Sequence, residues 1–326
     1  MNWITKKISE FKFKAKKIFK RQEKIDPSSS LWETCPSCSN INYKDTLVKQ
    51  DWTCNNCSHY FDKPALATVK TWFENKETFI EPSKGFEDDP LNFKTELGSY
   101  KDKLAKARKK EKQWCSILGY RGIIENLKVH LVVSNFKFLG GSWSHLESLY
   151  FQKIVFDAIE NNSDVFVLIL KTGGVSMFTG ALGLNSAMGA GTIGMQRLKE
   201  KNILTVGVAQ SKTTGGVLAS VLYNTEIVIL EKGAHDVTFA GKRISKNYLA
   251  SGEIMEQNFG TAEEKISKGM CDLVLERSEL KPAICTLAKI IKKKETPAVI
   301  NVEREQQDDS TNNTSREILP KTAEKI

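Results

Sequence analysis

Val165-Phe166-Val167-Leu168-Ile169-Leu170-Lys171-Thr172-Gly173-Gly174-Val175-Ser176-Met177 is an apolar run that stops at a glycine pair. Six consecutive apolar residues, rich in β-branched types and closed by a turn, predict a strand buried on both faces. The same texture returns where Ile203 to Ala209 leads into Lys212-Thr213-Thr214-Gly215-Gly216-Val217. Each glycine pair follows a predicted strand and opens a predicted helix. There glycine lets a ligand approach the backbone, and free N–H groups at the helix start point outward. Such donors suit a developing oxyanion, for example a thioester enolate.

Outward from these two turns, Val129 to Phe136 and Ile227 to Leu230 predict further strands. Helical patterns lie between the strands at His145–Asn161, Ala181–Lys199 and Val217–Tyr223. Three closing helices are expected at Ser245–Ala250, Thr261–Lys268 and Glu279–Lys292. Repeated strand and helix with short Gly-rich joints predicts an α/β layer architecture from about residue 114. No Gly-x-Ser-x-Gly and no Walker loop is present, and His59, His130, His145 and His235 suggest no triad. Catalysis on this scaffold would rest on backbone electrostatics and positioning.

Nearer the N-terminus, Cys35-Pro36-Ser37-Cys38 and Cys54-Asn55-Asn56-Cys57 hold four of the seven cysteines. Two Cys-x-x-Cys pairs at this separation predict one structural Zn2+ held by four thiolates in a small ribbon. Trp32, Tyr43, Trp52, Tyr60 and Phe61 can pack it, and His59 is read as a packing residue because four thiolates already fill a tetrahedral ion. Cys115, Cys271 and Cys285 are read as ordinary buried thiols. Zinc ribbons also bind nucleic acid, and flanking lysines make that physically feasible here. A shift assay that stays blank at low salt removes the idea.

The net charge of +9 is unevenly placed. Residues 1–24 carry nine Lys or Arg against Glu10 and Glu23, and Lys101–Lys112 carry seven against Asp102 and Glu111, so the remainder is slightly acidic. Trp3, Ile4, Ile8, Phe11, Ala15, Ile18 and Phe19 mark a basic amphipathic stretch in the first segment. The expected organisation is a basic segment and linker at 1–29, the ribbon at 30–63, and a connection with a charged helix at 64–113. An α/β domain at 114–294 and a disordered polar tail at 295–326 complete it. No stretch reaches the roughly 20 apolar residues of a spanning helix, so a cytoplasmic chain without a transmembrane segment is expected.

The ordered motifs resemble the β subunit of the carboxyltransferase of multi-subunit bacterial and plastid acetyl-CoA carboxylase. They are Met-Asn-Trp-Ile at the start, the four-Cys ribbon, Asp89-Pro90-Leu91-Asn92-Phe93, Tyr100-Lys101-Asp102-Lys103-Leu104, Phe138-Leu139-Gly140-Gly141-Ser142, both glycine turns, Phe239-Ala240-Gly241-Lys242-Arg243 and Gly269-Met270-Cys271-Asp272. The resemblance implies a crotonase-like ββα superhelix behind the ribbon and an α2β2 assembly with a carboxyltransferase α subunit. It implies carboxyl transfer from carboxybiotin, borne by a biotin carboxyl carrier protein and charged by a biotin carboxylase, to acetyl-CoA, giving malonyl-CoA in the bacterial cytosol rather than the plastid stroma. On the family's pattern the backbone amides of Gly173, Gly174, Gly215 and Gly216 are the oxyanion donors. Val175, Met177, Thr214, Val217 and Arg243 surround CoA and biotin, and the released biotin nitrogen serves as base.

The chain also departs from the family. Where the family reads Ala-Arg-Met-Gln-Glu-Gly, it has Val175-Ser176-Met177-Phe178-Thr179-Gly180, and Lys242 replaces a usual proline. The helix after the first turn carries Gly183, Gly189, Gly191 and Gly194, each worth about 1 kcal/mol of helix propensity against alanine. Two alternatives therefore stand beside malonyl-CoA synthesis: a non-catalytic or regulatory paralogue that assembles with α subunits, and a carboxyltransferase for another acyl-CoA.

Overall fold

The computed structural model describes residues 31–83, 85, 87–96, 98–241, 245 and 256–295. The basic segment at 1–29, Arg243, the helix expected at 245–250 apart from Ser245, and the tail beyond Glu295 lie outside these residues.

Strands β1 (Trp32–Thr34) and β2 (Ile41–Tyr43) pair antiparallel and lead into α1 (Lys44–Lys49). Helix α2 (Ala65–Phe73), β3 (Thr78–Phe79), the hairpin β4 (Lys94–Thr95) and β5 (Gly98–Ser99), and α3 (Tyr100–Glu111) follow. The α/β part then runs β6 (Ile117–Ile124), β7 (Leu127–Ser134), α4 (His145–Glu160), β8 (Val165–Thr172), α5 (Gly180–Glu200), β9 (Leu204–Thr214) and α6 (Gly215–Ser220). It closes with β10 (Ile227–Glu231), β11 (Val237–Thr238), α7 (Ala262–Ser267), β12 (Leu273–Leu275) and α8 (Leu280–Glu295).

One sheet has the order β12-β10-β9-β8-β7-β6-β3, with β11 added beside the end of β9. Strands β7 to β10 and β12 run parallel, while β6 and β3 are antiparallel additions at one edge. The β6–β7 hairpin turns through Glu125 and Asn126, both at positive φ, the two-residue geometry whose twist matches the strands.

Side chains alternate across the sheet with the period of two that a pleated strand dictates. Phe166, Leu168 and Leu170 of β8 face Trp143, Phe151, Ile154, Met195 and Leu198, on the side of α4 and α5. Val165, Val167 and Ile169 face the opposite way, toward Val69, Trp72 and Phe73 of α2 and Ile284 and Ala288 of α8. Full burial of each such side chain stabilises the fold by about 1.5–3 kcal/mol. The segment at 64–113, expected as a connection with a charged helix, also supplies α2 to one core and pairs β3 with β6.

Helix α4 starts in a capping box in which Leu146 N–H donates to Ser144 Oγ and Ser144 N–H to Glu147 Oε2. Glu147 is buried and also accepts the N–H of Ser116, so the cap ties β6 to α4. The glycines of α5 have a packing cause. A Cβ at Gly194 would sit 2.8 Å from the Phe151 ring, and one at Gly191 would sit 2.6 Å from Val221 Cγ2. Close approach to α4 and to the residues after α6 is thus gained at a cost in helix propensity.

His130, buried in β7, has Nδ1 3.0 Å from Ser163 Oγ and Nε2 2.9 Å from Asp157 Oδ1, and Asp157 also accepts from Arg121 at 2.8 Å. The trio has the connectivity of a catalytic triad, but Ser163 is buried and lies 3.1 Å from Lys128 O and 3.0 Å from Val165 O, near the amino ends of β7 and β8. It is a structural network. Burial is the main cause that lowers the His130 pKa below its ordinary 6.5, against Asp157, which raises it. A lowered folded-state pKa means that the unfolded chain binds the extra proton first on acidification. This stabilisation is complete above about 6.5 and is lost as the pH falls through the folded value. His130→Gln is expected to flatten the acid side of the stability curve in denaturant titrations; an unchanged slope would contradict the assignment.

Candidate active site and metal centre

Strands β8 and β9 end side by side, with Thr172 opposite Thr213, so their glycine turns meet. Gly174 has φ +95°, and a Cβ there would lie 2.7 Å from Thr214 O. Gly215 has φ +64° and faces the Cα of Gly174 across 3.5 Å from its Cβ position. The loop at 138–142 backs the first turn: Gly173 N–H donates to Gly140 O at 2.8 Å and Thr172 Oγ1 to Gly141 O at 2.6 Å. Trp143 N–H then donates to Gly174 O, and Ser176 N–H to Trp143 O.

The sequence brings Gly173, Gly174, Gly215 and Gly216 together, and the structure distinguishes their N–H groups. Gly173 donates to Gly140 O, Gly174 to Thr172 Oγ1 at 2.9 Å, and Gly215 to Phe239 O at 2.9 Å. At the start of α6, Thr214 gives no side-chain cap, which leaves the amides of Gly216 and Val217 in a first turn without a capping side chain among the described residues. Around them, Val175 is half-buried, Thr214 and Val217 are buried, and Met177 is 93% exposed. Phe178 carries the ammonium of Lys103, from α3, 3.5 Å above its ring centroid.

The ribbon holds Cys35, Cys38, Cys54 and Cys57 with all four sulfurs within 4.8 Å of one another. Cys35–Cys57 and Cys38–Cys54 Sγ distances are 3.6 and 3.7 Å. A tetrahedral ion with Zn–S bonds of about 2.3 Å needs sulfurs about 3.8 Å apart, so the set fits zinc. The two Cys-x-x-Cys turns repeat one geometry. Cys35 N–H donates to Asn40 O and Ser39 N–H to Cys35 O; Cys54 N–H donates to His59 O and Ser58 N–H to Cys54 O. Ser39 and Ser58 each have φ 59°. Burial alone would raise the Cys54 thiol, yet the N–H groups of Asn56 and Cys57 bring it down to about 6, which favours a thiolate.

An arginine from the far end of the chain fixes the ribbon to the sheet. Arg277 donates to Glu231 at 2.8 and 2.9 Å and to the ribbon carbonyls of Asp51 and Phe61 at 3.0 and 3.3 Å. Its guanidinium lies 4.4 Å from the Tyr60 ring centroid, and Tyr60 donates to Glu276. Glu231 is 1% exposed, so Arg277→Ala leaves a buried carboxylate without its charge partner. The expected cost is about 3–5 kcal/mol, with the ribbon loosened first; hydrogen exchange at Trp52 and Phe61 reads it, and unchanged protection would contradict the clamp.

Between ribbon and sheet lies a cleft of about 970 Å³, reached by Ser134, Lys171, Lys212 and His235 from the sheet side and by His59 and Asp62 from the ribbon. Burial, reinforced by Arg277, pulls the Lys171 ammonium down to about 8. Asp62 pairs with it. Sequence reasoning missed Arg277, Lys171 and Lys212. The lysines could have been found, since each sits just before a glycine turn, whereas nothing local to Arg277 announces a partner more than two hundred residues away.

No protein-family model matches the chain. It is 32% identical over 313 residues to the acetyl-coenzyme A carboxylase carboxyl transferase subunit beta of Pelagibacter ubique (strain HTCC1062), covering 95% of this chain and 97% of that one. It is 30% identical to the subunit of the same name from Rhizobium etli, covering 93% and 97%. Among solved structures, transcarboxylase 12S with methylmalonyl-coenzyme A and methylmalonic acid bound matches with a TM-score of 0.54 at 16% identity, over 71% of this chain and 41% of that one. A Pseudomonas malonate decarboxylase hetero-tetramer matches with a TM-score of 0.54 at 15% identity, over 71% and 82%. These neighbours share the crotonase-like carboxyltransferase fold expected from the motifs.

Proposed function

The chain belongs to the family of acetyl-CoA carboxylase carboxyl transferase β subunits, and on that premise we propose that it moves the carboxyl group of carboxybiotin to acetyl-CoA, giving malonyl-CoA. The observation that carries the proposal is the meeting of the two glycine turns at the ends of β8 and β9, with the Gly216 and Val217 amides in the first turn of α6. In this proposal those two amides hold the oxygen of the acetyl-CoA enolate, while Gly173, Gly174 and Gly215 spend their N–H groups on building the turn. Backbone donors fixed before reaction need no reorganisation as charge develops. Val175, Met177, Thr214 and Val217 border the substrates. Carboxybiotin, borne by a carrier protein, supplies the carboxyl group, and its released nitrogen takes the proton lost from the acetyl methyl.

Cys35, Cys38, Cys54 and Cys57 would hold one structural Zn2+, which contributes folding energy rather than chemistry. A carboxyltransferase α subunit would complete the site in an α2β2 assembly, served by a biotin carboxyl carrier protein and a biotin carboxylase in the cytoplasm. No helix among the described residues is long and apolar enough to cross a membrane. Substitution of the family's Arg, Gln and Glu by Ser176, Phe178 and Thr179 does not argue for an inert paralogue, because the turn is held by main-chain bonds and Thr172. The test is a mixture with the α subunit of the same genome. A stable complex that carboxylates acetyl-CoA faster than propionyl-CoA is expected. A stable complex inactive on acetyl-CoA would overturn the proposal.

A further inference from the structure

We propose that the cleft between the ribbon and the carboxyl ends of β7, β8 and β9 binds a phosphorylated small molecule of nucleotide size, with its phosphates on Lys137, Lys171 and Lys212. Ligands of open α/β sheets bind outside the carboxyl ends of the strands. The volume of about 970 Å³ is within the range of small-molecule sites. The neighbouring parallel strands β8 and β9, about 4.8 Å apart, bring Lys171 and Lys212 to the cleft, and the loop after β7 brings Lys137. The side chains of Lys137 and Lys212 pair with no acidic group among the described residues, and Lys171 pairs with Asp62 of the ribbon.

Two buried polar atoms lack partners in this cleft. Among the described residues, Ser134 Oγ, at the end of β7 and on a residue only 8% exposed, has none, and Asp236 Oδ1, just before β11 and beside the end of β9, has none. A buried hydroxyl and a buried carboxylate oxygen left open are costly unless something fills them. The polarity of the cleft is directional. Lysines line the β7–β9 end, whereas Glu231 and Glu276 at the β10 end are already matched by Arg277 and Lys232. A molecule whose phosphates meet the lysines and whose hydroxyl or amino group reaches Asp236, beside Lys212 at the end of β9, satisfies both. His59 and Phe61 of the ribbon also line the cleft, their rings 5.8 Å apart and close to perpendicular.

None of Gly173, Gly174, Gly215 and Gly216 lines this cleft, which adjoins their turns through Lys171 and Lys212, and binding there is read without carboxyl transfer. Phosphate on Lys171 displaces Asp62, so occupancy releases one contact between ribbon and sheet. The experiment is titration calorimetry of the zinc-loaded full chain, without partners, with ADP and with inorganic pyrophosphate. ADP is expected to bind with salt-sensitive affinity. Lys171→Ala and Lys212→Ala are each expected to weaken it about tenfold, and Asp62→Ala to tighten it, with near-UV circular dichroism showing that each variant is folded. Competition by acetyl-CoA would assign the nucleotide to the substrate's own ADP group and overturn a further site, whereas ADP binding that acetyl-CoA leaves unchanged upholds a separate effector site. No ADP binding, pyrophosphate binding without ADP binding, or equal affinity in all variants would overturn the proposal.

Discussion

Gly174→Ala lowers the rate of malonyl-CoA formation by about 100-fold or more, the loss seen when one preorganised oxyanion donor is removed. Gly174 is held at φ +95°, where an L side chain is strained, and its added Cβ would meet Thr214 O at 2.7 Å. Thr214 is the residue on which α6 starts, so the clash is passed directly to the Gly216 and Val217 amides. The displacement spoils a donor, and because Val217 belongs to the core on the α4 and α5 side and Val175 packs against it, some loss of stability accompanies the loss of rate. Steady-state kinetics of the purified complex, with melting temperature as a control, reads the effect. An alanine variant within a few-fold of the parent would show that the turn does not position the donors.

Cys54→Ser removes bound zinc and unfolds the ribbon while the sheet stays folded. Structural zinc sites of small modules contribute about 10–16 kcal/mol of apparent binding free energy near neutral pH. The ribbon has little else: its core is Cys35, Leu47, Cys54 and Phe61, with Cys38 and Trp52 packed against it. None of these residues belongs to either sheet core, so the loss is local. Metal analysis should show one zinc in the parent and none in the variant. Hydrogen exchange should show lost protection at Ile41–Tyr43 with Val165–Leu170 unchanged. Loss of the sheet as well would mean that the ribbon is part of one cooperative unit with it.

Much of this arrangement is legible in the sequence for physical reasons. Val165 to Leu170 reads as a buried strand because both faces are covered, and Cys35, Cys38, Cys54 and Cys57 read as a metal set because two short turns must place four sulfurs around one ion. The start of α4 is legible at Ser144 and Glu147. Strand β6 is less so. Gly119, Tyr120, Arg121 and Gly122 interrupt its apolar pattern, because Arg121 reaches Asp157 while Gly122 makes room for Phe73. Helix α2 carries no cap signal, since Pro64 precedes it without a side-chain bond and packing on the sheet supplies its stability. The glycine turns were legible as a place but not as individual donors. Which amide is consumed depends on Gly140, Thr172 and Phe239, partners that only the folded chain brings near.

Carboxyl transfer itself is tested most directly in a single turnover. A carrier protein charged with isotope-labelled carboxybiotin is mixed with acetyl-CoA and the complex of this chain with its α subunit, and the label is followed by mass spectrometry. The account predicts that label leaves the carrier and appears in malonyl-CoA, and that Gly174→Ala slows the transfer without altering assembly. Label that stays on the carrier, or is lost to solvent as bicarbonate with the complex intact, would contradict it.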